Sequence, residues 1–158
     1  MRYLSVLSLT LMTAALAFGQ GLATKKALTL DAAKQIAAAA ESEAKRNNWN
    51  VVIAILDDGG NLIYLQRMDE TQIGSIDVAI AKAQSAVRFK RPTKAFEDAL
   101  PTRQAILKLP GAIPVEGGLP FMVDGKILGA IGVSGVQSNQ DGIIAQAGVS
   151  VLTKLAAK

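Results

Sequence analysis

The sequence predicts a single α/β domain with a largely antiparallel sheet and helices on both of its faces. Apolar residues recur at helical spacing in three segments, and between these segments they form short uninterrupted runs. The runs come in two pairs, and each pair is joined by a turn rich in Gly and Asp instead of a helix. The resulting order, α, ββ, α, short α, ββ, α, argues against a parallel sheet of the Rossmann type.

The first residues of the chain follow a different pattern from the rest. Arg2 precedes an apolar run from Leu4 to Phe18, and small residues lie in and just after this run. The pattern predicts a secretory signal peptide, with cleavage after Ala17 or after Gly19. An uncleaved membrane anchor is the alternative, and we disfavour it because the run is shorter than the ~20 residues that span a bilayer.

We therefore predict that residues 1–19 are a signal peptide and that residues 20–158 form one domain. The expected location is the periplasm or the outside of the cell, without stable membrane insertion after cleavage. Of the 17 basic residues only Arg2 lies in the signal, so 16 basic and 13 acidic groups remain. This small excess does not predict nucleic acid binding.

The first helix is predicted from Thr29 to about Asn47. Thr29 is an N-cap residue, and Asp31 places a negative charge in the first turn, where it complements the helix dipole. The apolar stripe of this helix consists of Ala33, Ile36, Ala37, Ala40 and Ala44.

The first hairpin follows that helix. Val51–Leu56 is an uninterrupted apolar run, which is typical of a strand covered on both faces. Asp57–Asn61 has the composition of a tight turn, and Leu62–Met68 is the second strand.

The second helix is predicted from about Ser75, and Pro92 prevents its continuation. Thr93 is a candidate cap for a short helix over Ala95–Leu100. The prolines between there and Pro114 exclude longer regular structure. The apolar stripe of the second helix consists of Ile76, Ala79, Ile80, Ala83, Ala86 and Val87.

The second hairpin and a closing helix complete the domain. Leu119–Val123 and Ile127–Val133 are the strands, with Asp and Gly at the tip between them. Ser138 and Asp141 match the S-x-x-D capping box at the start of the helix. Its apolar stripe consists of Ile144, Ala147, Val151, Leu152 and Leu155.

The chain contains no histidine and no cysteine, which excludes several kinds of site. Ser-His-Asp and Cys-His catalysis and zinc sites built on thiolate or imidazole are impossible. The acidic pairs Asp57-Asp58 and Asp69-Glu70 lack the spacing of a calcium loop, so we predict no metal site. General acid–base chemistry would require a carboxylate, a lysine or a tyrosine.

Two groups of glycines are candidate anion sites. Gly129, Gly132 and Gly135 have the wrong spacing for a nucleotide loop, and close packing of a neighbouring backbone explains them better. Gly117-Gly118 precedes Pro120 at a strand entrance and could present backbone N–H groups to a small anion. A turn that needs positive φ is the alternative interpretation.

Three segments together resemble the GlcG/HbpS family, also described as the haem-binding or PduO carboxy-terminal type. They are VVIAILDDGGNLIYLQRMD, SIDVAIAKAQSAVRFKRPT and GGLPFMVDGKILGAIGVSGVQSNQD. The resemblance extends from Leu28 to Leu155. It implies a profilin-like three-layer α/β/α domain with a five-stranded antiparallel sheet. It also implies self-association, from dimers to octamers.

Some secreted members of this family bind haem, which makes haem one candidate cofactor of this chain. Members commonly have Gly-His at the end of the turn that here ends in Asn61, and asparagine is a poor iron ligand. Within the mature chain, the side chains able to ligate haem iron are Tyr64, Met68 and Met122. Tyr64 and Met68 lie on the same side of their strand, and Arg67 points to the other side.

The positions that match the family motifs give a set of candidate ligand contacts. An alternative interpretation is that Arg67, Asp69 and Lys82 form a structural ion-pair network. The candidate contacts are Arg67, Met68, Asp69, Ser75, Lys82, Gly117, Gly118 and Pro120, with Tyr64 and Met68 as possible haem ligands.

We therefore expect an exported, oligomeric binding protein whose partners are itself and a small anionic or planar ligand such as haem, bound near Lys82 and Gly117-Gly118. No catalytic residue is assigned. One alternative is an enzyme acting on a hydroxy acid or aldehyde, with Lys82, Asp69 or Glu116 as acid or base. The other is a structural or sensory assembly module without a ligand.

Overall fold

The computed structural model describes residues 21, 22 and 24–156, so the predicted signal peptide lies outside the described residues. One four-stranded sheet has the order β2-β1-β4-β3, and all three pairings are antiparallel. The strands are β1 (Val52–Asp57), β2 (Leu62–Arg67), β3 (Gly118–Val123) and β4 (Lys126–Ser134). The helices are α1 (Leu30–Arg46), α2 (Ser75–Phe89), α3 (Lys94–Glu97), α4 (Ser138–Val149) and α5 (Leu152–Ala156).

The α/β class and the antiparallel sheet are confirmed, whereas the expected fifth strand is not present among the described residues. The segment between α2 and β3 forms α3 and a 3₁₀ helix, Gln104–Lys108. Pro101, Pro110 and Pro114 punctuate this segment, and proline cannot donate the hydrogen bonds that a strand ladder requires.

Helices cover both faces of the sheet, which gives the three layers. On β1, Ile53 and Ile55 pack with α1 and α4, while Val52, Ala54 and Leu56 pack with α2. Successive side chains of a strand point to opposite faces, so a strand covered on both sides is apolar at every position. This arrangement explains the uninterrupted apolar run in the sequence.

The helix α2 lies unusually close to the sheet. A Cβ atom at Gly132 would overlap the carbonyl oxygen of Ala79, and a Cβ at Gly118 would overlap that of Lys82. Small residues therefore let the backbone of α2 rest on β3 and β4. The packing interpretation of the strand glycines is confirmed at Gly132.

The N-terminal cap of α1 agrees with the prediction from the sequence, whereas that of α4 differs from it. Thr29 accepts a hydrogen bond from the backbone N–H of Ala32 at 3.1 Å, as predicted for an N-cap. The predicted capping box on Ser138 and Asp141 is wrong. The N-cap of α4 is Gln137, whose N–H donates to the side chain of Gln140 at 3.2 Å.

The predicted closing helix is interrupted after Val149. The N–H of Val151 donates to the carbonyl of Gly148 at 3.2 Å, and the hydroxyl of Ser150 donates to the carbonyl of Gln146. This tight turn separates α4 from α5. Across the residues that the structure describes, no helix has the length and apolar character to cross a membrane.

Candidate functional site

A buried ion pair lies beside Gly117-Gly118, where α2, β3 and α4 meet. Lys82 Nζ is 2.8 Å from Asp141 Oδ2 and donates to the carbonyl oxygen of Val133 at 3.0 Å. The side chains of Lys82 and Asp141 are 1% and 2% exposed. A charge this deeply buried requires a partner of opposite sign, and each of these two residues supplies the other's.

Gly117 provides the space that the lysine amine occupies. A Cβ atom at this position would lie 2.6 Å from the carbonyl oxygen of Val133 and 2.9 Å from Lys82 Nζ. Its φ of +124° is also one that other residues adopt rarely. The positive φ that was the alternative interpretation is therefore present at Gly117, while anion binding there stays a prediction.

Three hydrogen bonds join Gly118 to Thr93, the residue before α3, and the longest runs from Thr93 Oγ1 to the Gly118 carbonyl at 3.5 Å. The N–H of Gly118 donates to Thr93 Oγ1 at 2.9 Å, and the N–H of Thr93 donates to the Gly118 carbonyl at 3.0 Å. The hydroxyl that was predicted to cap α3 thus binds β3 instead. Consequently, the Gly118 N–H, a candidate donor to an anion, already has an acceptor within the chain.

Further carboxylates surround the ion pair. Glu97 Oε2 accepts from the backbone N–H of Glu116 at 2.6 Å, and Glu97 Oε1 accepts from the hydroxyl of Ser138 at 3.2 Å. Lys94 Nζ lies 3.8 Å from Glu116 Oε2 and 2.8 Å from Asp98 Oδ1. These contacts join α3, the start of β3 and α4 into one charged cluster around Gly117.

The pKa of the Asp141 carboxyl group is shifted by its burial. Loss of hydration raises the pKa of Asp141, and Glu116 adds a smaller effect in the same direction. The hydrogen bond and the charge of Lys82 act against this increase in pKa. The ion pair ties α2 to the start of α4, and contact with a substrate would require the amine of Lys82 to become exposed.

The proposed network of Arg67, Asp69 and Lys82 is wrong, because Lys82 pairs with Asp141 and Arg67 Nη1 donates to the carbonyl of Thr71 at 2.9 Å. Sequence reasoning missed the partner of Lys82 because Asp141 matched a capping motif. A signal was available, since Lys82 interrupts the apolar stripe of α2, where a lysine needs a buried acid.

Arg67, Met68 and Asp69 lie elsewhere, along a surface groove of about 510 Å³. The groove runs beside the end of α1 and the end of β2, and Glu41 and Lys45 are among the other residues lining it. The predicted ligand contacts therefore divide between this open groove and the closed cluster around Lys82.

Two further predicted contacts lie outside that groove. Ser75 is buried, and its hydroxyl accepts from Gln72 Nε2 at 3.0 Å and from Ser134 Oγ at 3.4 Å. Pro120 lies on β3 and lines a separate groove that also contains Met122.

Two possible iron ligands, Tyr64 on β2 and Met68 just after its end, face the core beside α1 and α4. Tyr64 and Met68 are partly buried and pack against the same apolar cluster, which confirms that they share one side of the strand. The hydroxyl of Tyr64 donates to Gln66 Oε1 at 3.1 Å.

Asn61 is held within the turn between β1 and β2. Its backbone N–H donates to Asp57 Oδ1 at 2.8 Å, and its side-chain amide donates to Asp57 Oδ2 at 3.0 Å. These bonds, with one from the Gly59 N–H, lower the pKa of Asp57. Asn61 thus stabilises the turn itself.

A family model described as haem degrading protein HbpS-like matches residues 28–150. The chain belongs to this HbpS-like family. Protein GlcG of Escherichia coli K12 is 42% identical over 112 residues, which cover 70% of this chain and 84% of GlcG. The predicted family is therefore confirmed.

Two solved structures support the HbpS-like assignment. A double mutant of Streptomyces reticuli HbpS superposes with a TM-score of 0.77 at 32% identity, covering 89% of this chain and 98% of HbpS. A PduOC:heme complex superposes with a TM-score of 0.72 at 28% identity, covering 79% of this chain and 94% of PduOC. The HbpS-like region of this chain contains the sheet, the charged cluster and the groove beside Met68.

Proposed function

We propose that this HbpS-like chain is an exported, self-associating protein that binds haem. The observation that carries the proposal is the likeness to PduOC, which was solved as a complex with heme and whose fold covers 79% of this chain. The HbpS-like description of the matching family model supports the same ligand.

The donor set of the chain is compatible with haem even without histidine or cysteine. Methionine thioether and tyrosine phenolate both serve as axial ligands of haem iron in proteins. Met68 and Met122 each line an open groove, and lysine or arginine side chains are nearby. Such cations would bind the two propionates through charge-assisted hydrogen bonds.

The predicted contacts at Ser75, Lys82, Gly117 and Gly118 are buried, and Lys82 Nζ and the Gly118 N–H have acceptors within the chain. Their role in binding stays a prediction, and it requires the charged cluster to open. The open grooves need no such rearrangement, so they are the places where we expect a planar ligand to bind.

Haemin titration of the mature protein tests the binding proposal. We expect a saturable change in the Soret absorbance with a defined stoichiometry. Iron-free protoporphyrin IX, followed by its fluorescence, separates contacts to the ring from the bond to iron. A Soret signal that only grows linearly with haemin, as for haemin alone, would overturn the proposal.

Export and self-association need separate measurements. Mass spectrometry of the protein released from cells is expected to show an N-terminus at Phe18 or Gln20, since these follow the two predicted cleavage sites. Light scattering is expected to give a dimer or a larger assembly. A full-length chain retained in the cell, or a monomer at micromolar concentration, contradicts the corresponding part of the proposal.

The enzymatic alternative meets a geometric obstacle at Lys82. Its amine is 1% exposed and donates to both Asp141 and Val133, so a substrate could reach it only if the charged cluster opened. Turnover of a small hydroxy acid or aldehyde by the mature protein would favour that alternative.

A further inference from the structure

Met122 lies on β3, at the edge of the sheet, and its side chain is 47% exposed. We infer that Met122 supplies the iron ligand for a haem bound on this edge, an inference that rests on the proposed function. It assigns a residue and a surface to the ligand, and four observations support it.

The first observation is the accessibility of the donor atom. An axial ligand must present its sulfur or oxygen to the centre of a wide planar ring, so the approach to it must be open. Tyr64 and Met68 are partly buried and pack against the core beside α1, and the Tyr64 hydroxyl is already bonded to Gln66. Met122 is the most exposed of the three possible ligands within the described residues.

The second observation is that Met122 lines two adjacent grooves of different character. The groove on one side, about 460 Å³, has a mainly apolar lining that includes Pro120, Val149 and Leu152. The groove on the other side, about 370 Å³, contains Lys90 and Lys126. A haem has an apolar ring and two carboxylates, so this combination fits both parts of the ligand.

The third observation is the charge balance around those grooves. Asp58 and Asp124 also line them, and each has a lysine partner from the N-terminal segment. Lys25 Nζ is 2.5 Å from Asp58, and Lys26 Nζ is 3.1 Å from Asp124. With these acids neutralised, Lys90 and Lys126 provide the excess positive charge that attracts propionates.

The fourth observation concerns the competing occupant, a strand from a second copy. Pro120 lies in the middle of β3 and has no N–H to donate to an added strand. The ladder also shifts register between Phe121 and Met122, which makes the edge irregular. Both features disfavour strand addition at this edge and leave the methionine accessible to a small ligand.

The test compares wild type with Met122→Leu and with Met68→Leu and Tyr64→Phe, which remove the two competing iron ligands, after circular dichroism shows that all are folded. We expect Met122→Leu to weaken haemin binding about tenfold and to change the Soret maximum of the bound form. Met68→Leu and Tyr64→Phe should change affinity and spectrum far less than Met122→Leu, and a larger change at either one would assign the iron to that residue and overturn the inference. Met122→Leu should bind iron-free protoporphyrin IX as wild type does, because the ring contacts remain.

A double variant, Lys90→Ala with Lys126→Ala, tests the propionate contacts. It should weaken haemin and protoporphyrin IX to a similar degree and reduce the dependence of both affinities on salt. If wild type binds haemin and Met122→Leu binds it equally with the same spectrum, the inference is wrong while the proposed function stands. Absence of saturable binding by wild type overturns the proposed function, and this inference with it.

Discussion

Lys82 Nζ lies 2.8 Å from Asp141 Oδ2, and the two residues are separated by 59 positions in the chain. Their pairing joins α2, on one face of the sheet, to the start of α4, on the other. Because both side chains are almost fully buried, each is tolerated only in the presence of the other. This dependence can be measured directly.

Lys82→Met is expected to destabilise the domain by about 3–5 kcal/mol, because it leaves the Asp141 carboxylate buried without a cation. The double variant Lys82→Met with Asp141→Leu should recover most of that loss. Urea denaturation of the two variants and wild type gives the free energies of unfolding. A single variant as stable as wild type would show that the pair contributes little.

The stability of the Lys82→Met variant should depend on pH in a defined direction. Burial raises the pKa of Asp141 above its ordinary value of 3.8, and removing Lys82 raises that pKa further. In the variant the folded state therefore takes up a proton at higher pH than the unfolded state. Its stability should rise as the pH falls through the raised pKa towards 3.8, and the full penalty should be present above that window. A loss of stability that is the same at every pH would contradict this explanation.

Gly118→Ala is expected to cost at least about 2 kcal/mol, because overpacking at a closed site forces the backbone apart. The new methyl group would overlap the carbonyl oxygen of Lys82 and lie 2.6 Å from Thr93 Cγ2. Gly74→Ala is the matched control, since a Cβ at Gly74 has no atom within 4 Å of it. The control should stay within about 0.5 kcal/mol of wild type in thermal or urea unfolding. Equal effects at both glycines would disprove the close approach of α2.

Asn61→Ala removes the side-chain amide that donates to Asp57 while keeping the backbone hydrogen bond. We expect a loss of about 1 kcal/mol at neutral pH. The bonds from Asn61 lower the pKa of Asp57, so their contribution is present above its ordinary value of 3.8 and is lost as the pH falls through the folded-state pKa. The free energies of unfolding of wild type and Asn61→Ala, measured across this pH range, should converge in acid. A constant difference would indicate that the amide acts through packing.

Asn61→His is expected to strengthen haemin binding about tenfold, because imidazole is a better iron ligand than an amide. Asp58 lies in the same turn as Asn61 and lines the groove beside Met122. Haemin titration of this variant against Asn61→Gln separates the effect of imidazole from loss of the turn bonds. If the two variants bind haemin equally, the side chain at position 61 lies too far from the iron to bind it.

Local features of the chain were predictable from the sequence. The helical stripe of α1 and its Thr29 cap, both hairpins and the order of the elements follow from periodicity and turn chemistry. These depend on neighbouring residues, so no knowledge of distant contacts was required. The motif on Ser138 and Asp141 was misread for the same reason, because a local pattern competed with a distant partner.

The amino-acid sequence by itself determined the class of the fold, its two hairpins and its family. Tertiary structure decided the order of the four strands and the roles of Lys82, Asp141 and Gly118. It also decided which possible iron ligand is accessible, since Met68 packs on the core and Met122 lies on an open edge. The physical reason is that periodicity encodes which side of an element is apolar, whereas charge pairing and exposure depend on which elements meet.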